Sequence, residues 1–299
     1  PFSILKRIVM GETAVLRQVL AERRLRVYLD EDEATVAAVR SSEVVCICVG
    51  TPSQPDGAAD LTAVRRVLQR VAPGLSERRD YPVVVMRSTV PPPAWAEVVG
   101  ILEAGSGEEA GHDFGVVSNP EFLREGQALH DFYNPPFTVI GCDDDPRAVL
   151  QVTGLYGRRA SGPVVVMRAR EALLLKYVCN VWHALKVVFA NEIGALAHYL
   201  GLSGQTIMAA FTQDTVLNIS PAYLRPGFAY GGSCLPKDTA ALLYLADELE
   251  LPVLEAIPWS NQACIEAVAG RVLSTGAERV VVVGLSFKVG TDDLVDKSQ

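Results

Sequence analysis

The chain has no Cys-x-x-Cys pair and only four histidines, His112, His130, His183 and His198, none at a metal-ligand spacing. Its six cysteines, Cys46, Cys48, Cys142, Cys179, Cys234 and Cys264, are scattered, which argues against both a zinc knuckle and a disulfide framework. No uninterrupted apolar run approaches the roughly 18 residues that a membrane span needs. Residues 1–10 show no apolar region followed by small residues that would mark a cleavable leader, so a soluble cytoplasmic protein is expected. Positive charge is also short: 27 Lys and Arg against 35 Asp and Glu leave a net charge of −8. That argues against a nucleic-acid surface, although an anionic small ligand needs only a few local cations. Finally, no G-x-G-x-x-G turn occurs anywhere, whereas a dinucleotide-binding sheet ordinarily opens with a strand, that turn, a helix and an acidic residue about 20 positions on.

What is present is the composition of an ordinary globular protein, 299 residues long and 49% hydrophobic, enough for two or more domains. Short β-rich runs at 44–49, 83–86, 116–117, 138–140 and 164–167 are separated by helical stretches, which predicts a parallel α/β sheet. Functional loops in such sheets lie beyond the carboxyl ends of the strands. Here those ends carry Gly50-Thr51-Pro52-Ser53, Arg87-Ser88-Thr89-Val90-Pro91 and Ser118-Asn119-Pro120-Glu121, so three polar loops are expected to converge on one edge. Cys46 and Cys48 alternate along the first run and are expected to share a strand face as core thiols. From 169 to 200 the apolar residues Leu173, Tyr177, Val181, Leu185, Val188, Ile193 and Leu196 recur at three- and four-residue spacing, which predicts one long helix. Further helices are expected near 203–217, 237–250 and 258–275. Arg279-Val280-Val281-Val282-Val283-Gly284 then opens a new strand shortly before the end. The expected organisation is a sheet domain over 1–168, a helical domain over 169–276 and the first strand of a third domain over 277–299, with both ends appearing cut.

The stretch Gly227-Phe228-Ala229-Tyr230-Gly231-Gly232-Ser233-Cys234-Leu235-Pro236-Lys237-Asp238 sets one cysteine between a glycine run and a helix start. Pro236 is favoured in a first helical turn, so a helix should begin just after Cys234. Free N–H groups, the positive end of the helix dipole and the cation of Lys237 favour a thiolate there and lower the Cys234 pKa below the roughly 8.5 of a free thiol. Glycine leaves room for a substrate. Lys176 and Asn180, four apart on the long helix, project from one face and can hold one oxygen between them. Standing alone, that pair would more often be helix-surface residues, and Asp238 a residue complementing the dipole.

Taken together these segments resemble the UDP-glucose/GDP-mannose dehydrogenase family across essentially the whole chain. Six motifs carry the resemblance in order: Val49-Gly50-Thr51-Pro52-Ser53, Arg87-Ser88-Thr89-Val90, Asn119-Pro120-Glu121-Phe122-Leu123-Arg124-Glu125-Gly126, Lys176-Tyr177-Val178-Cys179-Asn180, the cysteine loop, and Gly284-Leu285-Ser286-Phe287-Lys288-Val289-Gly290-Thr291-Asp292-Asp293. The segments Cys179-Asn180-Val181-Trp182-His183-Ala184-Leu185-Lys186 and Tyr223-Leu224-Arg225-Pro226-Gly227-Phe228 are most similar to the branch that oxidises GDP-mannose for alginate-type polysaccharides, with the UDP-glucose branch as the alternative. The resemblance implies a Rossmann-like NAD-binding domain, a helical central domain whose long helix pairs with its twin in a homodimer or higher homo-oligomer, and the start of a nucleotide-sugar-binding domain. It implies NAD as cofactor, a nucleotide sugar as substrate, and no metal, nucleic acid or membrane.

The implied chemistry is oxidation of a sugar C6 alcohol to the carboxylate by two hydride transfers, with Cys234 forming a thiohemiacetal and then a thioester that water hydrolyses. By the same resemblance Lys176 and Asn180 steady the C6 oxyanion, Asp238 orients a lysine or water, Glu121 is the base for hydrolysis, and Thr89 holds the catalytic water or the nicotinamide side of the cofactor. Thr51 and Lys237 are placed on the cofactor side. His183, Asn191, Tyr223, Leu224, Arg225, Pro226, Phe228, Gly231 and Lys288, together with Glu121, Lys176 and Asn180, are placed on the nucleotide sugar, Arg225 and Lys288 being cations of the kind a pyrophosphate requires. Two departures stand out. The missing glycine turn should leave the chain as written a poor NAD binder, and Val295 stands in Asp292-Asp293-Leu294-Val295-Asp296-Lys297-Ser298 where the family usually has an arginine. Two rival readings are a non-catalytic nucleotide-sugar-binding or dimerising protein and a simple cysteine-dependent aldehyde dehydrogenase. The five intact residues Cys234, Lys176, Asn180, Glu121 and Asp238 oppose the first, and the Lys176–Asn180 pair, which implies alcohol oxidation, opposes the second.

Overall fold

The computed structural model describes residues 22, 32–123, 127–157, 162–220, 228–231, 235–245 and 249–281, the side chains of residues 32, 237, 238, 241, 244 and 245 excepted. The chain divides into two compact units, Pro1–Asn180 and Val181–Gln299. In the first, strands β1 (Val44–Ile47), β2 (Val83–Met86), β3 (Gly115–Ser118), β4 (Thr138–Gly141) and β5 (Val164–Met167) form one sheet in sequence order. Helices α1 (Asp32–Arg40), α2 (Thr62–Val71), α3 (Trp95–Ser106), α4 (Ala128–Tyr133) and α5 (Pro146–Tyr156) accompany them.

All four residues of β2 are buried, as a strand covered on both faces requires. Successive side chains point to opposite faces. Val84, Met86 and Val116 therefore join one core with Leu68, Trp95, Val98, Leu102 and Leu173, while Val83, Val85, Val117 and Ile140 join a second with Ala148 and Val152. A fully buried side chain of this size contributes about 1.5–3 kcal/mol. The two layers hold the strand ends in place.

Two expectations about the sheet need correcting. β1, β2 and β3 pair in parallel, as do β4 and β5, but β3 meets β4 antiparallel at Ser118 and Gly141. Between β3 and β4 the described chain holds only the six-residue α4 and the Pro135-Pro136 turn, so no full crossover helix carries it back to the starting end of the sheet. Cys46 and Cys48, expected in the core, are exposed. They lie on β1 and just beyond it, at the sheet edge, where β2 is the pairing strand among the described residues.

The long helix α6 spans Ala169–Tyr199 in one piece. Its first turn descends onto the end of β4, because a Cβ on Gly141 would stand 2.5 Å from the Ala172 Cβ and 2.9 Å from the Ala169 Cα. Among the described residues it is the one helix long and apolar enough, by length and composition, to cross a membrane, and 17% of its most apolar stretch is buried.

The second unit takes the remainder of α6 with α7 (Gly204–Phe211), α8 (Leu235–Leu245) and α9 (Pro252–Ser274). Leu196, Leu251 and Leu254 form its core with Phe189, Ile193, Leu242 and Leu243 packed around them. α9 starts six residues before the expected position and runs through Pro258. Its start is fixed from another helix: the buried Glu192 carboxylate accepts the amides of Val253 at 2.9 Å and Leu254 at 3.0 Å, beside Pro252 at the first helical position. α7 is shorter than expected; after Phe211 the Asp214 carboxylate accepts the Val216 and Leu217 amides and turns the chain.

Candidate active site

The three strand-end loops are joined by hydrogen bonds. Ser88, just past β2, accepts from the Val49 amide at 2.8 Å and donates to the Val49 carbonyl at 2.7 Å, tying the second loop to the first. Arg87 Nη1 donates to Asn119 Oδ1 at 2.5 Å, tying the second to the third. The expected convergence on one edge is therefore seen. Thr51 and Thr89 are both half-buried on it. That edge, outside the carboxyl ends of parallel strands, suits the nicotinamide side of a dinucleotide. No G-x-G-x-x-G in the sequence supplies the pyrophosphate cradle, so the residues present fit one part of such a cofactor.

The third loop meets α6. Lys176 Nζ donates to Glu121 Oε1 at 2.9 Å, with the lysine side chain 9% exposed and the glutamate 35%. The ammonium also lies 5.5 Å from the centroid of the Phe122 ring, which itself packs edge-on against Phe137. Glu121 Oε2 accepts the Leu123 amide at 2.6 Å. A cation held almost out of water beside a carboxylate that water still reaches can steady a developing oxyanion while its neighbour moves a proton. Asn180, one turn on from Lys176, is exposed, as are His183 and Asn191 further along α6.

In the second unit, α8 begins at Leu235 with Pro236 in its first turn, as the sequence predicts. Cys234, Tyr223, Leu224, Arg225, Pro226 and Lys288 lie outside the described residues, as do the side chains of Lys237 and Asp238. Of the cysteine loop, Phe228 is exposed and Gly231 half-buried. The Asn261 side chain pairs with the Tyr230 backbone, accepting its N–H at 2.8 Å and donating to its carbonyl at 2.9 Å. Burial pushes the thiols of Cys142 and Cys179 up from their usual pKa, so neither is prepared as a thiolate.

Sequence reasoning missed several members. Arg87, Asn119 and Tyr156 form a polar cluster behind the Glu121 loop, and Asn261 clamps the cysteine loop. Arg87 and Asn119 sat inside quoted motifs, whereas Tyr156 and Asn261 carried no spacing signal, because each meets a loop of its own unit that is distant in sequence.

A predominantly parallel sheet with polar loops bound together at its strand ends, one of them facing a lysine on a following helix, defines a Rossmann-like dinucleotide-binding fold. Residues 7–158 match the model of the UDP-glucose/GDP-mannose dehydrogenase family, NAD binding domain, and residues 170–263 match that family's central domain; the chain belongs to the UDP-glucose/GDP-mannose dehydrogenase family. It is 44% identical over 288 residues to the GDP-mannose 6-dehydrogenase of Pseudomonas putida, covering 95% of this chain and 64% of that protein. To the UDP-glucose 6-dehydrogenase of Rhizobium meliloti it is 37% identical over 270 residues, covering 87% and 60%. The crystal structure of a ternary complex of GDP-mannose dehydrogenase from Pseudomonas aeruginosa is similar with a TM-score of 0.92 at 41% identity, over 97% of this chain and 66% of that one. The UDP-glucose dehydrogenase of Pyrobaculum islandicum gives a TM-score of 0.64 at 35% identity, over 97% and 66%. The chain thus spans a little under two thirds of the length of the curated relatives it matches, 64% for the first.

Proposed function

We propose that the chain is the major part of an NAD-dependent nucleotide-sugar 6-dehydrogenase that converts GDP-mannose to GDP-mannuronate for an alginate-type polysaccharide. The observation that carries this reading is the contact between Lys176 and Glu121, which brings two of the residues implied by the family motifs to 2.9 Å. Similarity to proteins named GDP-mannose 6-dehydrogenase supports the substrate, at 44% identity against 37% for the first UDP-glucose relative.

NAD, when bound, accepts the hydrides that leave C6, and Thr51 and Thr89 would flank its nicotinamide side. The chain's own residues do the rest. Lys176 and Asn180 donate to the C6 oxygen as its proton passes to a bound water. Cys234 Sγ adds to the C6 carbonyl to form a thiohemiacetal, and loss of a second hydride leaves a thioester. Glu121 takes a proton from water as it attacks the thioester; the C–S bond breaks, the carboxylate leaves and the thiol is restored. Asp238 orients the lysine or that water. His183, Asn191, Tyr223, Leu224, Arg225, Pro226, Phe228, Gly231 and Lys288 bind the nucleotide sugar, with Lys237 on the cofactor side. The exposed apolar residues Leu174, Val178, Val181, Trp182 and Leu185 of α6 support a homodimer formed through this helix.

The test is NADH formation from GDP-mannose and UDP-glucose, in the chain as sequenced and in a form extended to the full length of its relatives. Turnover of GDP-mannose by the extended form is expected. Turnover of UDP-glucose instead would reassign the substrate, and a folded extended form that reduces no NAD would refute the activity.

A further inference from the structure

We propose that Tyr156 and Arg87 are positioning residues for the Glu121 carboxylate, acting through the buried Asn119 amide; the proposal rests on the reading of Glu121 as the base for hydrolysis. Asn119 is 1% exposed and held on every side. Its Oδ1 accepts from Arg87 Nη1 at 2.5 Å and from the Tyr156 hydroxyl, while Arg87 Nη1 also donates to the Tyr156 hydroxyl oxygen at 2.6 Å. Its Nδ2 donates to the Val139 carbonyl at 2.6 Å, and its backbone amide donates to the Met86 carbonyl at 2.9 Å. One side chain is thereby fixed from β2, β4 and α5 at once.

The fixing is passed forward. Pro120, buried and with φ locked near −65°, follows directly, so few soft torsions separate the Asn119 amide from Glu121. At Glu121 one carboxylate oxygen takes the Leu123 amide and the other the Lys176 ammonium. Bringing a guanidinium and a phenol to a buried amide oxygen is costly, and an apolar residue would fill the space of a phenol ring without that cost. What the polar version supplies is orientation, because an amide oxygen receiving two donors cannot exchange places with its nitrogen. Burial raises the Tyr156 pKa, so its hydroxyl remains a donor where Glu121 works.

Tyr156→Phe, which keeps the ring and removes the hydroxyl, is compared with the parent and with Glu121→Gln in the form extended to full length. Two readings are taken: hydrogen exchange at the Leu123 amide, and pre-steady-state NADH release with GDP-mannose. The expected result is a melting temperature within a few degrees of the parent, Leu123 exchange faster by about tenfold, a retained NADH burst, and a steady rate lower by roughly tenfold with KM falling in proportion, so that kcat/KM is unchanged, within the range a small misplacement of a catalytic group produces. Glu121→Gln should show the same burst and a slower steady rate still. Unchanged exchange at Leu123 would overturn the proposal, as would faster exchange with a parental steady rate, or a lost burst, which would place the effect before hydrolysis. Should Tyr156→Phe fail to fold, Arg87→Gln carries the same expectations. A parent that makes no NADH refutes the proposed function, while exchange at Leu123 still decides whether the cluster positions the loop.

Discussion

Lys176 stands with its ammonium on the Glu121 carboxylate, nearly excluded from water on one side of the pair and open to it on the other. Removing one partner of a buried ion pair is costly because it leaves the other charge buried and unpaired, but the Glu121 side chain is 35% exposed and stays hydrated without the lysine. Lys176→Met should therefore unfold within about 1 kcal/mol of the parent in urea, while kcat falls by about 10²–10³, the usual cost of losing an oxyanion donor. A loss of stability without loss of rate would assign Lys176 to structure. Cys142 gives a second residue-scale test. It is buried, and burial raises its pKa from 9.0 to about 11. The native state thus keeps its proton where the unfolded chain has lost it, so the stabilising contribution is complete below pH 9 and is lost as the pH rises toward 11. Urea titrations at pH 8 and pH 10.5 should show a steeper decline for the parent than for Cys142→Val; equal slopes would mean that the thiol is no more buried than in the unfolded chain.

At the level of elements, ends and junctions decide. Asp145 caps α5 by accepting the Ala148 amide at 3.1 Å, and its other carboxylate oxygen accepts the Tyr81 hydroxyl. Asp145→Ala should lower unfolding free energy by about 1–2 kcal/mol through the lost cap alone, a change that denaturant titration resolves. Gly141→Ala should be more damaging than an ordinary strand substitution, since the added methyl meets Ala172 and the backbone of Ala169 and must push the first turn of α6 off β4. These junctions also mark where sequence ceased to suffice. The continuous apolar run of β2 and the long apolar periodicity of α6 announced those elements, because local pattern and burial agree in the first and spacing alone marks the second. The start of α9 was misplaced, because its cap comes from Glu192, some sixty residues earlier. The antiparallel entry of β4 was likewise hidden, since direction depends on how the chain between strands crosses the sheet and leaves no mark in the strand itself.

For the whole molecule, the motifs pointed to the family before the fold did, and the structure added which residues meet. The Glu121 loop and Lys176 were separately legible as family motifs; their pairing was not, because 55 residues separate them. The support from Tyr156 was illegible for the same reason. An isolated tyrosine at the end of a helix looks like any half-buried aromatic until the sheet brings Asn119 beneath it.

The central claim is a four-electron oxidation that depends on Cys234, and the most direct measurement is the yield of NADH per GDP-mannose consumed, taken for the protein extended to the full length of its relatives and for its Cys234→Ser variant. The parent should yield about two NADH per sugar and the variant should stall after the first oxidation, because a serine hydroxyl is far less nucleophilic at its ordinary pKa and the covalent route to the acid is closed. An undiminished yield from Cys234→Ser, or a parent yielding only one NADH per sugar, would contradict it.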